Sequence, residues 1–287
     1  DKEVVDFSGI MPNPTYAKVQ EGARLVQEAH VDFILAAGGG SVIDCCKVIS
    51  AQAMLAEDIW DMEYKSSKFP IVGTAASFAI LDPLYTASVP PMQVLSGAFD
   101  TLSHAMETYL GNSDQDNVSD DVALAVMRNT VINMRRLLVD INDMQARGNL
   151  MWDSAMAENG ILKVGRLTDF QAHQIEHQLG AYTDCNHGQG LAVIHPAYYR
   201  HILKDAEEKF TRFAKEVFGA DTAEGGLEAL TAFIEKCGLP TRLSQLKSKV
   251  EITPEILRQV ADTCNIIKCN PRELDRDEIY EILRECL

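Results

Sequence analysis

The spacing of one aspartate and four histidines constrains the fold of this 287-residue chain more than any other feature. Asp100 and His104 are four residues apart, as are His173 and His177, and this spacing places two side chains on one helical face. His187 follows after an interval long enough for a helix end and a reversing loop. One carboxylate and several imidazoles suit a divalent transition metal, so the pattern predicts a metal site. The alternative, that these are only polar positions on helices, stays open.

Composition limits the class of protein. With 46% hydrophobic residues, the chain is long enough for a sizeable core in one large or two moderate domains. A formal net charge of −16 argues against nucleic acid or an anionic membrane surface as the main partner and favours a small-molecule reaction. No apolar run approaches a membrane span, and the first residues do not resemble a signal peptide. We therefore expect a cytoplasmic protein.

The seven cysteines form no CxxC pair and no regular framework. Their spacing is typical of reduced thiols that fill core positions. Cys185, two residues before His187, is the one candidate for another role, either as a metal ligand or as a redox-sensitive thiol.

The organisation of the chain changes near residue 90. Before it, short apolar runs predict strands at 3–7, 33–37, 69–72 and 78–81, with helices from Asn13 and Pro14 to about His30 and over 41–56. After it, helical periodicity dominates. The sequence predicts an α/β domain at 1–89 and a mostly helical domain at 90–287. The predicted helices of the second domain cover 92–110, 119–138, 142–164, 169–179, 190–200, 207–217, 225–237, 253–263 and 277–285.

A glycine-rich turn follows the second predicted strand. Gly38, Gly39 and Gly40 let the backbone approach a ligand closely, and the helix starting at Ser41 offers free N–H groups. The turn lacks the GxGxxG spacing of the ordinary dinucleotide fingerprint. It is therefore either a phosphate-binding turn or simply a tight turn, and Asp44 either stabilises the helix N-terminus or contacts a ligand.

These segments together resemble the iron-containing (group III) alcohol dehydrogenases, and most of all their butanol dehydrogenase and NADP-dependent aldehyde reductase branch. The resemblance covers almost the whole chain, in the order and with the local spacing of the family. The matching segments are 38–44 with Lys47, 81–85, 100–109, 151–160, 173–188 and 269–272.

The resemblance implies a fold and an activity. The implied fold is a Rossmann-like α/β dinucleotide-binding domain, here only partial, followed by a helical metal-binding domain, with the active site in the cleft between them. The implied reaction is hydride transfer between NAD or NADP and a small primary alcohol or aldehyde such as butanol or butanal. The implied metal is Fe²⁺, although Zn²⁺ or another divalent ion suits the same ligands, and the implied assembly is a homodimer.

The resemblance also assigns residues. By it, Asp100, His104, His173 and His187 are the metal ligands, and His177 faces the nicotinamide and substrate as a proton carrier or substrate-orienting group. The implied cofactor contacts are Gly38, Gly39, Gly40, Ser41, Asp44, Thr74 and Tyr85. Compared with the family, the chain starts after the first strand and has a shortened stretch at 73–78, so the choice of cofactor is hidden.

Two other functions remain open at this stage. A polyol dehydrogenase of the glycerol type, or an enzyme like dehydroquinate synthase, shares the fold and metal site but uses other chemistry. A non-catalytic metal-binding remnant is the second alternative.

Overall fold

The computed structural model describes residues 3–11, 14–66, 77–111, 117–268 and 271–287. The chain divides into two compact units, Asp1–Ile80 and Leu81–Leu287. The sequence placed its domain boundary at 89/90, and that assignment stays a prediction. No helix among the described residues is long and apolar enough to cross a lipid bilayer.

The first unit contains two packed helices, α1 (Tyr16–Glu28) and α2 (Gly40–Met54). Val19 of α1 and Ile49 of α2 are buried at the centre of a small apolar cluster. Gly22 allows this approach, because a Cβ there would lie only 2.9 Å from Cγ1 of Ile49. A short π-helical turn, Asp61–Lys65, follows.

The predicted strands at 3–7, 33–37 and 78–81 are wrong, because the described part of this unit contains no strand, and the strand at 69–72 lies outside the described residues. Apolar runs give a tendency toward extended backbone, but a strand exists only when a neighbour completes its ladder of hydrogen bonds. Phe33 is 58% exposed and its ring stacks on Phe78 with centroids 6.3 Å apart. The Rossmann-like sheet is therefore not confirmed.

The described part of the second unit is helical. After a short 3₁₀ turn at Pro83–Thr86, a long helix, α3 (Pro91–Leu110), packs against three others and is largely buried. The others are α4 (Val118–Val139), α5 (Met144–Glu158) and α7 (His187–Ile202). Helix α6 (Gln171–Thr183) packs against α7 and α10 (Pro254–Thr263). The remaining helices are α8 (Glu207–Phe213), α9 (Ala223–Lys236) and α11 (Arg276–Glu285).

Two helix ends differ from the sequence prediction near the histidines. Helix α6 continues through Gly180 to Thr183, because buried Leu179 and Thr183 extend its apolar face and this packing outweighs the tendency of glycine to end a helix. Helix α7 starts at His187 rather than near residue 190, because the Asn186 side chain caps the backbone N–H of Gln189. Only residues 184–186 therefore connect α6 to α7.

The predicted helix over 142–164 is also shorter than expected. Helix α5 ends at Glu158, and Gly160 adopts a left-handed conformation with φ of 89° before a 3₁₀ turn at Ile161–Lys163. Glycine takes this conformation without steric cost, so it ends the helix there. The result is that Glu158 lies at the carboxyl end of α5.

Candidate metal centre

Four side chains converge within the second unit. Helix α3 supplies Asp100 and His104 one turn apart, α6 supplies His173, and His187 is the first residue of α7. Oδ1 of Asp100 lies 3.4, 3.5 and 3.6 Å from Nε2 of His104, His173 and His187, respectively. The Nε2 atoms of His104 and His173 are 3.1 Å apart.

The donor atoms of Asp100, His104 and His173 are close enough together to hold one metal ion, and His187 approaches the same carboxylate oxygen. With ligand bonds of about 2.0–2.2 Å, a tetrahedral site has ligand atoms roughly 3.3–3.6 Å apart. Oδ1 of Asp100 is buried and makes no well-formed hydrogen bond within the described part of the chain. A buried carboxylate oxygen facing three imidazole nitrogens is a place for a cation, since burial of an unpaired charge is costly. The donor set therefore fits a divalent metal.

A close helix contact positions His187. A Cβ on the adjacent Gly188 would overlap the backbone carbonyl of Ser96 in α3. Glycine at position 188 thus allows the start of α7 to approach the middle of α3. This approach brings the His187 ring to Asp100.

Three glutamates that the sequence analysis did not identify contact the other side of the ligating rings. Nδ1 of His173 lies 2.6 Å from Oε1 of Glu107 on α3. Nδ1 of His104 contacts Glu158, and Nδ1 of His187 contacts Glu176 on α6. The sequence held a partial signal, because Glu107 and Glu176 each lie three residues after a predicted ligand and so near the same helical face. Glu158 belongs to another helix and had no such signal.

The Glu107 carboxylate is buried and accepts hydrogen bonds at both of its oxygens. Its Oε2 accepts hydrogen bonds from the backbone N–H groups of Ala172 and His173, at 3.1 and 3.4 Å. These are free donors of the first turn of α6, where Phe170 provides no side-chain cap. Nε2 of His195 lies 3.1 Å from the Oε1 atom. Glu107 therefore fixes the start of the helix that carries His173.

The electrostatics follow from this packing. Burial works to raise the pKa of Glu107, but the neighbouring His173 and His195 hold it well below the usual range. Burial works to lower the pKa of His173, whereas Glu107 and Asp100 raise it to about 10. Burial works to lower the pKa of His187 as well, but the neighbouring Glu176 raises it above the usual value. Without a cation, the site therefore holds protons that a metal ion must displace.

His177 lies beside the ligating rings, and its donor atom and those of Glu176 and His187 also lie within 4.8 Å of one another. Its ring centroid is 5.7 Å from that of His173 and 5.2 Å from that of His187. Loss of hydration and the nearby His187 and His173 lower its pKa to about 4. His177 is therefore neutral near pH 7, which differs from the expectation of an imidazole that titrates there.

Phe170 is a further neighbour that the sequence analysis missed. Its ring centroid lies 5.3 Å from that of His104 and 5.1 Å from that of His173, and its backbone is left-handed with φ of 57°. Nζ of Lys163 is 4.9 Å from the ring centre. A phenylalanine rarely adopts this conformation, so surrounding contacts maintain the strain beside the site.

Cys185 has no thiolate character in this structure. Its side chain is buried, and its Sγ lies 3.8 Å from Oε1 of Glu176. Burial and Glu176 raise the pKa of the thiol to about 11, although hydrogen bonding from Thr183 opposes this rise. Cys185 is not in either group of described side chains whose donor atoms lie close enough together to hold a metal ion, so the structure does not favour it as a ligand.

The predicted cofactor contacts lie in different parts of the chain. Helix α2 starts at Gly40, and a Cβ at Gly39 or Gly40 would meet no described atom within 4 Å. Asp44 is exposed, and its Oδ1 lies 3.0 Å from Nζ of Lys47. Tyr85 is 84% exposed in the turn before α3. Of the others, Gly38 and Ser41 flank the start of α2, and Thr74 lies outside the described residues. Their roles stay predictions.

Two family models match the chain. A model described as the C-terminal part of the Fe-containing alcohol dehydrogenase family matches residues 94–287, and one described as iron-containing alcohol dehydrogenase matches residues 1–81.

Individual proteins are also similar. NADH-dependent butanol dehydrogenase A of Clostridium acetobutylicum is 30% identical over 328 aligned positions, covering 98% of this chain and 83% of that protein. NADPH-dependent aldehyde reductase YqhD of Escherichia coli is 28% identical, covering 91% of this chain and 79% of that protein. The crystal structure of NADH-dependent butanol dehydrogenase A from Thermotoga maritima matches with a TM-score of 0.89 and 27% identity, covering 98% of this chain and 83% of that one.

Proposed function

Because this chain belongs to the iron-containing alcohol dehydrogenase family, we propose that it transfers hydride between NAD(P)(H) and a small primary alcohol or aldehyde. Butanol and butanal are the proposed test substrates, since they are suggested by the names of similar proteins. The observation that carries the proposal is the convergence of one carboxylate oxygen and the imidazole Nε2 atoms around it.

The proposed metal ligands are Asp100, His104, His173 and His187. Support for this set comes from the spacing of their donor atoms and from the buried, unsatisfied oxygen of Asp100. A divalent cation held there would supply Lewis acidity toward the oxygen of an alcohol or aldehyde. We propose Fe²⁺ as the ion, with Zn²⁺ as the main competitor, because imidazole and carboxylate ligands accept both.

The protein side chains would orient the substrate and move its proton. His177 lies next to His173 and His187 on the exposed side of the site, where a substrate oxygen has access. Since its pKa is about 4, the neutral ring would serve as a hydrogen-bonding and proton-passing group, without storing a positive charge at pH 7.

The proposed cofactor contacts are the turn at Gly38–Gly40 with Ser41 and Asp44, together with Thr74 and Tyr85. Support comes from the N–H groups at the start of α2, which no described side chain caps, and from Gly39 and Gly40, where a Cβ would meet no described atom within 4 Å. Local donors of this kind are needed because the net charge of −16 repels an anionic dinucleotide. The nicotinamide would be NADH or NADPH. A homodimer is the proposed assembly.

Anaerobic reconstitution tests this function. The purified chain is stripped of metal, loaded with Fe²⁺ or Zn²⁺, and assayed for butanal reduction with NADH and with NADPH, beside glycerol oxidation. We expect metal-dependent butanal reduction that Asp100→Asn abolishes and that Asp121→Asn, on the exposed side of α4, leaves intact. Activity on glycerol alone, or no binding of either reduced nicotinamide, would reject the proposal.

A further inference from the structure

We infer that Glu107, Glu158 and Glu176 are positioning residues of the metal site, each of which holds one ligating imidazole as its Nδ1–H tautomer. This inference rests on the proposed function, because it takes His104, His173 and His187 as the ligands. It adds three residues, from three different helices, that would set the affinity of the site for its ion without touching it.

The two nitrogens of each ligating ring lie next to different groups. Nε2 of each ligating histidine faces Asp100, at 3.4 to 3.6 Å. Nδ1 of His173 and Nδ1 of His187 are hydrogen-bonded to glutamate carboxylates. Nδ1 of His104 lies within ion-pair distance of the Glu158 carboxylate, without the geometry of a hydrogen bond. An ionised carboxylate only accepts hydrogen bonds, so the nitrogen that faces it carries the proton. In a neutral ring the other nitrogen then bears the lone pair, and it is Nε2 that points to the common centre.

A glutamate carboxylate lies next to Nδ1 of each ligating ring, and the three glutamates come from separate elements. Glu107 reaches His173 from α3, Glu158 reaches His104 from α5, and Glu176 reaches His187 from α6. The space for the Glu176 carboxylate depends on a glycine in the neighbouring helix. A Cβ on Gly190 would lie 2.6 Å from Oε1 of Glu176, so glycine is needed where α7 passes this side chain.

The three glutamates differ in their surroundings. The side chains of Glu107 and Glu176 are 0% and 2% exposed, whereas that of Glu158 is 48% exposed. Charge interactions are stronger where water is excluded. Glu107 also accepts hydrogen bonds from the first turn of α6, so it fixes both the ring and the helix that carries it. Loss of charge should therefore weaken metal binding most at Glu107 and Glu176 and least at Glu158.

Glutamine substitutions and a metal-affinity measurement test the inference. Zn²⁺ affinity is measured in the full-length chain by competition with a chromogenic chelator, for Glu107→Gln, Glu176→Gln and Glu158→Gln. We expect about 10- to 100-fold weaker binding for the first two and a smaller loss for the third. The matched control is Glu278→Gln, because Oε1 of Glu278 lies 3.1 Å from Nε2 of His201, which is not a proposed ligand.

Long-range ¹H–¹⁵N spectra of the zinc-loaded chain give a second readout, which a purely structural role would not affect. We expect His104, His173 and His187 each to be protonated at Nδ1 and to bind zinc through Nε2. A ring that binds zinc through Nε2 keeps its proton on Nδ1 in any case, so the readout of the glutamate is the chemical shift of that proton. Glu176→Gln should move the Nδ1 proton signal of His187 and leave those of His104 and His173 in place. Protonation at Nε2 of these rings in the wild type would overturn the inference.

The outcomes separate the inference from the proposed function. If Asp100→Asn leaves Zn²⁺ affinity unchanged, the metal site itself is wrong. If Asp100→Asn abolishes binding while all three glutamine variants bind as tightly as Glu278→Gln, only the positioning role is wrong. Should Glu107→Gln fail to fold, Glu176→Gln and Glu158→Gln decide, since neither removes the cap of α6.

Discussion

Nδ1 of His173 lies 2.6 Å from Oε1 of Glu107, and both side chains are buried in the helical unit. This contact joins α3 to α6 at the level of the candidate metal site, because Glu107 also caps the first turn of α6. The geometry of the site and the packing of its helices therefore depend on the same residues. Substitutions in the helix contacts should accordingly be visible in metal binding.

Gly188→Ala should destabilise the protein and weaken metal binding. The added methyl group would overlap the Ser96 carbonyl, so α7 must move away from α3 and carry His187 with it. Overpacking of this kind costs about 1–3 kcal/mol of unfolding free energy. The control is Gly97→Ala, because a Cβ at Gly97 of α3 meets no described atom within 4 Å. Equal denaturation midpoints for the two variants would contradict the proposed contact.

Gly180→Ala should stabilise the protein by about 0.5–1 kcal/mol. The predicted helix ended at residue 179, but α6 continues to Thr183, and a Cβ at Gly180 would lie 3.6 Å from Oε1 of Glu176, an ordinary contact. Chemical denaturation measures the change. Marked destabilisation would indicate that position 180 needs a backbone conformation that only glycine adopts.

Buried thiols should react slowly with an alkylating reagent at pH 8. Burial raises the pKa of Cys237 and Cys264 from 9.0 to about 11, and the thiolate is the reactive form. At pH 8, a rise of two units in the pKa reduces the thiolate fraction by about 100-fold. Peptide mapping by mass spectrometry should find partly exposed Cys46 modified before either of them in the folded chain, and all three modified after unfolding. Equal rates in the folded chain would refute the buried assignment.

His177→Ala should retain the metal and lose turnover. The ring lies beside His173 and His187, but it is not one of the three imidazoles around Oδ1 of Asp100, so metal stoichiometry should stay near that of the wild type. Butanal reduction by the reconstituted enzyme should fall by about 10²–10⁴-fold, the usual contribution of a proton-transferring side chain. Unchanged turnover and an unchanged pH profile would remove His177 from the reaction.

The sequence predicted the helical unit better than the site within it. Asp100 and His104 could be recognised as a pair from the sequence, because residues four apart lie on one face of a single helix. Such pairs identified the segments that the structure brings together. Glu158 could not be predicted in this way, since its contact with His104 depends on how α5 packs on α3 and where Gly160 ends α5. Phe170 was missed for a similar reason, because its left-handed backbone is imposed by tertiary contacts.

In the first unit, the sequence predicted the helices but not the absence of paired strands from the described residues. Its helices were predicted within a few residues, because helical periodicity is a local signal. The predicted start of α1 at Pro14 was wrong, since α1 begins at Tyr16 after Thr15, and neither helix has a side-chain cap. The strands at 33–37 and 78–81 were not found, because pairing depends on partners that no local pattern specifies. Phe33 and Phe78 stack on each other there without forming a ladder.

An anomalous difference map from crystals of the Co²⁺-loaded protein would locate the bound ion itself. We expect one strong peak about 2.0–2.2 Å from Oδ1 of Asp100 and from Nε2 of His104, His173 and His187. A peak bound by other side chains, or Nε2 atoms turned away from a common centre, would contradict this expectation.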